Sequence, residues 1–236
     1  MDKQTKIVSM FNDISKTYDL ANRVLSFGVD KSWRKKACDL TYEYYNKKEI
    51  DLVLDVACGT GDMCEYWDKR AKVAGIEIKE IIGADPSVGM LEVAKEKGLN
   101  AKFVEAEAKD LPFKDEKSDI ISISYGLRNV IDRVEALEEF NRVLKKDGML
   151  VILEFTKLKN ATIMSKLRDF YMKRVLPLIG GILSKNFVAY SYLPNSIEGF
   201  LTKEKLVEEL KESGFKIEYV KGYSMDISTL FIARKI

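Results

Sequence analysis

The stretch Leu52–Met63, LVLDVACGTGDM, decides the fold. An apolar run ends in Asp55, a small-residue turn carries Gly59 and Gly61, and a second acid, Asp62, follows. A short apolar run closed by a glycine turn reads as a strand feeding a helix, the repeating unit of a parallel sheet. Ligands in such sheets bind beyond the carboxyl ends of the strands. Gly59 and Gly61 let the backbone come close to a ligand and adopt positive φ. Their spacing is G-x-G without a third glycine, so the dinucleotide fingerprint is incomplete. Asp62 opens the next helix, where an acid attracts an amine and repels a pyrophosphate. A cationic ligand fits this turn better than NAD.

Outward from the turn, short apolar runs alternate with helical patterns. DLVLDVA, EIIGAD, AKFVEAE, DIISIS, GMLVILEF, FKIEYVKGY and STLFIARK are the candidate strands. Helices are expected around Met63–Lys72, Gly89–Lys97, Val134–Leu144 and Lys203–Ser213. In the third of these, Val134, Leu137, Phe140, Val143 and Leu144 fall at helical spacing, and Gly148 follows the basic end. Thr202 is placed to cap the fourth, although Lys205 stands where a capping box wants Glu or Gln. No helix separates the last two strands, so they read as a hairpin with an antiparallel final strand. The expected architecture is α/β: a doubly wound, seven-stranded, mostly parallel sheet with helices on both faces. Without repeats or a Pro/Gly-rich linker, residues 1–236 read as one domain, with a helical N-terminal extension over 1–48.

Composition narrows the function. A formal net charge of +2 is too small to point to nucleic acid. The chain has no histidine, which removes the usual general base near neutral pH and the commonest metal ligand. Its three cysteines form no CxxC pair, so neither a zinc cage nor a disulfide framework is expected, and a reducing cytoplasm fits. The N-terminus, MDKQTKIVSMFNDISK, lacks the apolar core of a signal peptide. No uncharged apolar run approaches the roughly 20 residues of a membrane span.

A second acid supports a nucleoside site. IIGADPSVGML sets Asp85 at the end of the second strand, where a carboxylate meets two ribose hydroxyls. The competing reading is that Asp85 only caps the helix after Pro86.

DVACGTGD, GADPSVGML, AEAKDLPF and GMLVILEF together resemble, in order and spacing, the class I S-adenosylmethionine-dependent methyltransferases. Two longer stretches, YDLANRVLSFGVDKSW (Tyr18–Trp33) and RVLKKDGMLVILEFT (Arg142–Thr156), resemble the signatures of the ubiquinone/menaquinone biosynthesis C-methyltransferases of the UbiE/MenG type. YGLRNVID (Tyr125–Asp132) and AYSYLPNSIEGF (Ala189–Phe200) also resemble that family. Three positions depart from its pattern: Ala21 replaces Met, Asp30 replaces His, and Glu107 replaces Asp or Asn.

The resemblance implies a Rossmann-like fold and S-adenosylmethionine as cofactor. It implies cofactor contacts at Thr60, Asp85, Glu107, Ala108 and Ser124, with Asp55, Gly59 and Gly61 shaping the methionine end. Ser124 would lie beneath the sulfonium, or would simply be a small residue closing a strand. The implied reaction is C-methylation of a prenylated hydroquinone, demethylmenaquinol first and a ubiquinone precursor second. The deprotonated substrate supplies the carbon nucleophile, so the protein needs to align two reactants and stabilise a phenolate. Arg128 and Asn129 are the candidates for that stabilisation, unless Arg128 pairs with Asp132 one helical turn on. Tyr18, with Asp19 and Asn22, sits on an extension that would act as a lid.

Residues 160–200 read as a helical substrate cover. Lys166, Arg168, Lys173, Arg174 and Lys185 flank the apolar VLPLIGGIL, which would line a prenyl tunnel, lie on an anionic membrane, or form an ordinary core helix. The expected partner is a prenylated quinol; peripheral membrane contact and a homodimer stay open. A methyltransferase for another small molecule and a non-catalytic S-adenosylmethionine-binding protein are the competing functions.

Overall fold

A computed structural model of the chain describes residues 2–157, 174, 178, 181, 186–224 and 226–236. Two helices open it, α1 (Lys3–Leu25) and α2 (Val29–Tyr45). Then β1 (Glu49–Val56), α3 (Asp62–Ala74), β2 (Glu77–Asp85), α4 (Val88–Glu96) and β3 (Lys102–Glu105) alternate. They are followed by β4 (Ser118–Ser124), a 3-10 turn (Leu127–Asn129), α5 (Arg133–Val143) and β5 (Leu144–Glu154). The described C-terminal elements are α6 (Phe187–Glu198), α7 (Lys203–Glu212), β6 (Phe215–Tyr223) and β7 (Ser228–Lys235).

The strands form one sheet in the order β3-β2-β1-β4-β5-β7-β6. β1 pairs in parallel with β2 and β4, and β7 runs antiparallel to both β5 and β6. This is the expected seven-stranded sheet with its antiparallel last strand. Central strands of such a sheet are covered on both faces and read as continuous apolar runs. One face packs Trp33, Tyr42 and Trp67 from α2 and α3 against Val53, Ile120 and Val151. The other packs Leu137, Phe140, Leu206 and Leu210 from α5 and α7 against Leu54, Ile121 and Ile152. A third cluster joins Ile14, Ala21 and Leu25 of α1 to Met90, Ala189 and Ile197, so α1 is fixed to α4 and α6 by apolar packing.

The region after α5 differs from its sequence reading. The helix ends at Val143 and β5 begins at Leu144 with no loop between. Ser118 pairs with Leu144, and the ladder resumes only at Ile120 with Met149. The polar Lys145–Asp147 are thus looped out of register, with Asp147 at φ +62°. A side chain at Gly148 would sit 2.8 Å from the Lys145 carbonyl oxygen, which is why a glycine closes this bulge.

Among the described residues, no helix is long and apolar enough to cross a membrane. Most of the expected cover over 160–200 lies outside the described residues, including Lys166, Arg168, Lys173 and Lys185; Arg174 is exposed.

Candidate active site

The sheet order reverses between β1 and β4, and the turns after these strands touch. A Cβ added at Gly126 would lie 2.5 Å from the Ala57 Cβ, so only glycine permits the approach. Around this switch point opens a cleft. Gly59, Asp85, Glu107, Ala108, Ser124 and Asn129 line it from the sheet side, with Phe11 and Tyr18 of α1. Of the residues singled out in the sequence, the cleft therefore gathers seven. It leaves Asp55, Thr60, Gly61 and Arg128 behind its walls.

After β1 the chain turns through left-handed conformations at Ala57, Gly59 and Gly61 and enters α3 at Asp62. Asp55 is buried beneath the turn. It accepts hydrogen bonds from Ser122 Oγ at 2.6 Å and from the Cys64 thiol, and burial pushes its carboxyl up to about 7. Thr60 is buried too, and its hydroxyl donates to Asp19 of α1 at 2.6 Å.

Asp85 ends β2 with 7% of its surface exposed. One oxygen accepts the Gly59 N–H and the other the Ser87 N–H, both at 2.8 Å. Among the described residues no cation is paired with it, and burial pushes its carboxyl up to about 6. Ser87, not Asp85, caps α4, accepting from Met90 N. That removes capping as the reason for an acid here. Asn12 of α1 accepts from Ser87 Oγ at 2.7 Å and Gly89 N at 2.9 Å, which ties the N-terminal helix to the cleft rim.

Beyond β4, Tyr125 adopts φ +59° and stacks on Phe155 with ring centroids 4.5 Å apart. Arg128 does not pair with Asp132, which is engaged by Lys109. Its guanidinium meets the fully buried Glu154 at 2.8 Å, and it also bonds Ser196 Oγ and the Tyr125 carbonyl. The beginning of β5 is exposed and charged, but its end buries this acid; Glu154 was missed, although it too is an acid closing an apolar strand. Asn129 accepts from Tyr192 OH at 3.1 Å. Tyr18 is half-buried, and its phenol is raised above its usual range by desolvation, with a hydrogen bond to Asn22 and the charges of Arg128 and Arg34 opposing the rise.

The extension meets the glycine turn through charge. Asp30 accepts from Ser26 Oγ at 2.6 Å and from the guanidinium groups of both Arg23 and Arg34. Arg23 continues to Asp62 at 2.5 Å, and Lys97 bridges Asp62 and Asp19. The acid read as an amine receptor is thus already paired within the fold.

A profile of the ubiE/COQ5 methyltransferase family matches residues 1–235. The chain belongs to that family. It is 55% identical over its whole length, and over the whole of the relative, to the ubiquinone/menaquinone biosynthesis C-methyltransferase UbiE of Campylobacter jejuni. It is 40% identical to the demethylmenaquinone methyltransferase of Thermotoga maritima, covering 89% of this chain and 88% of that one. Among solved structures it resembles a SAM-dependent methyltransferase from Thermotoga maritima, at TM-score 0.63 and 19% identity, covering 98% and 100% of the two chains. One from Aquifex aeolicus superposes at TM-score 0.61 and 18% identity, covering 94% and 98%. The chain is therefore an S-adenosylmethionine-dependent methyltransferase with the class I fold, of the C-methylating, quinone-biosynthesis type.

The residues present fit the cofactor. A carboxylate has about four acceptor positions. Asp85 uses two on backbone N–H groups, which leaves acceptor capacity for a ribose diol, and among the described residues no cation competes for it.

Proposed function

We propose that this chain methylates a ring carbon of a prenylated hydroquinone and that demethylmenaquinol is its substrate. One observation carries the reading: Asn129 and Tyr18 face the same cleft as Asp85 and Ser124, so quinol-binding groups and cofactor-binding groups share one space. The relatives support the ring. The Thermotoga maritima relative is named for demethylmenaquinone, and the Campylobacter jejuni relative for quinone C-methylation.

When bound, the cofactor supplies an electrophilic methyl group on a sulfonium. The chain's own part is positioning and electrostatics. Asn129 accepts from Tyr192 through its carbonyl oxygen and donates one amide N–H to the Tyr125 carbonyl at 3.5 Å, which leaves its other N–H as a donor to a ring oxygen. Arg128 contributes a field, since its charge is felt at the phenols of both Tyr18 and Tyr192. Its pairing with Glu154 limits that field and makes Arg128 a brace for the loop that carries Asn129. Tyr18, with its raised pKa, acts as a neutral phenol and hydrogen-bonds the substrate rather than taking its proton. α1 and α2 serve as the lid. Gln4, Asn12, Asp19 and Arg23 hold α1 to the rim and keep water from the reacting centre.

The protein works in the cytoplasm at the inner membrane face, where a prenylated substrate resides. The basic residues flanking VLPLIGGIL supply an electrostatic attraction to anionic lipid. Quinone profiling of cells lacking the protein tests the substrate. Accumulated demethylmenaquinone, with restored menaquinone on complementation, is expected. An unchanged quinone pool contradicts the assignment.

A further inference from the structure

Among the described residues, two buried side-chain polar atoms have no hydrogen-bond partner: Arg34 Nε and Tyr223 OH. The first belongs to a buried guanidinium beside the active site. Arg34 projects from α2, and its Nη1 is held by Asp30. Its guanidinium carbon lies 5.4 Å from the centroid of the Tyr125 ring, which lines the cleft directly after Ser124. On its other side, Asp30 is shared with Arg23, and Arg23 reaches Asp62, the first residue after the glycine turn. Arg34 is thus anchored between the two turns that form the switch point.

We propose that Arg34 receives the carboxylate of the cofactor's methionine moiety. The inference rests on S-adenosylmethionine as the cofactor. A buried guanidinium N–H left without an acceptor is disfavoured, and a carboxylate is the acceptor whose planar fork matches it. The surroundings balance: Arg23, Arg34 and Lys97 face Asp19, Asp30 and Asp62. A zwitterionic amino acid enters such a network without upsetting its net charge, but its carboxylate needs a donor that is not already used. Lys97 and Arg23 are each engaged by two carboxylates; Arg34 has one carboxylate partner and a spare N–H. The charge of Arg34 also reaches both Asp55 and Asp62, the acids on either side of the glycine turn. Nothing in the sequence marked this residue; it is the neighbour of Trp33 at the edge of a quoted signature.

The test is calorimetric binding to purified protein of three ligands: S-adenosylmethionine, decarboxylated S-adenosylmethionine and 5′-methylthioadenosine. Wild type is expected to bind the first about tenfold or more tightly than the second, the scale of one charge-assisted contact. Arg34→Gln should erase that difference while leaving 5′-methylthioadenosine affinity unchanged, and Arg34→Lys should restore part of it. Equal wild-type affinity for the first two ligands overturns the proposal without any mutant. So does a uniform loss for all three ligands in Arg34→Gln, the mark of a packing role. A wild type that binds none of the three overturns the cofactor assignment itself, and the proposal with it.

Discussion

Asp85 and Glu154 occupy equivalent places, each the last residue of a strand and each buried, but the fold treats them oppositely. Glu154 is neutralised inside the protein. It accepts Arg128 Nη1 at 2.8 Å, the Arg128 N–H at 3.1 Å and the Phe155 N–H at 2.7 Å. Asp85 receives two backbone N–H groups and, among the described residues, no cation, and burial pushes its carboxyl up to about 6. A carboxylate held by a guanidinium braces a loop. A carboxylate left without one is held ready for a ligand's hydroxyls, at some cost to the unliganded fold.

The comparison breaks first on stability. Glu154→Ala leaves the Arg128 guanidinium buried without its carboxylate, a loss of about 3–5 kcal/mol. Asp85→Ala strands no charge, only the Gly59 and Ser87 N–H groups, and relieves a buried carboxyl, so its cost should be smaller, about 1–3 kcal/mol. Urea unfolding of both variants checks this; equal losses would erase the distinction. Turnover is the next largest effect. Asn129→Ala should lower kcat about a hundredfold, the scale of one preorganised donor, with cofactor affinity unchanged. Steady-state kinetics beside calorimetry reads both, and a variant that loses cofactor affinity instead would move Asn129 to the cofactor side.

A smaller effect appears in pH. Asp85 and Asp55 have folded pKa values pushed up to about 6 and about 7, from 3.8. The unliganded fold then holds more protons than the unfolded chain across that window. The share of stability that these two groups contribute is fully present below about pH 4 and is lost as pH rises toward 7. Asp85→Asn should remove the lower part of that loss. An Asp85→Asn profile that runs parallel to wild type from pH 4 to 7 would mean that this carboxyl is not raised by burial.

The glycine turn, the two acids that follow strands, and the strand count were legible because each is local. Periodicity and turn residues lie within about a dozen positions of one another. Asp85 was legible for the same reason. What escaped depended on partners far along the chain. Glu154 meets Arg128 26 residues away, and Arg23 meets Asp62 39 residues away. The Arg128–Asp132 alternative used helical spacing, but residues 127–129 form a 3-10 turn and α5 starts only at Arg133, so the i,i+4 geometry does not exist there. The start of β5 was misread because KKDG carries a helix-end signature, while the partner strand β4 accommodates it as a bulge.

We propose that Asp85, which pairs with no cation among the described residues, receives the ribose of the cofactor. Its most direct test is calorimetric titration of S-adenosylmethionine into wild type and Asp85→Ala, with circular dichroism to verify the fold. The account predicts a folded variant whose affinity falls about tenfold or more, the loss of at least one charge-assisted contact. A folded variant that binds S-adenosylmethionine as tightly as wild type would contradict it.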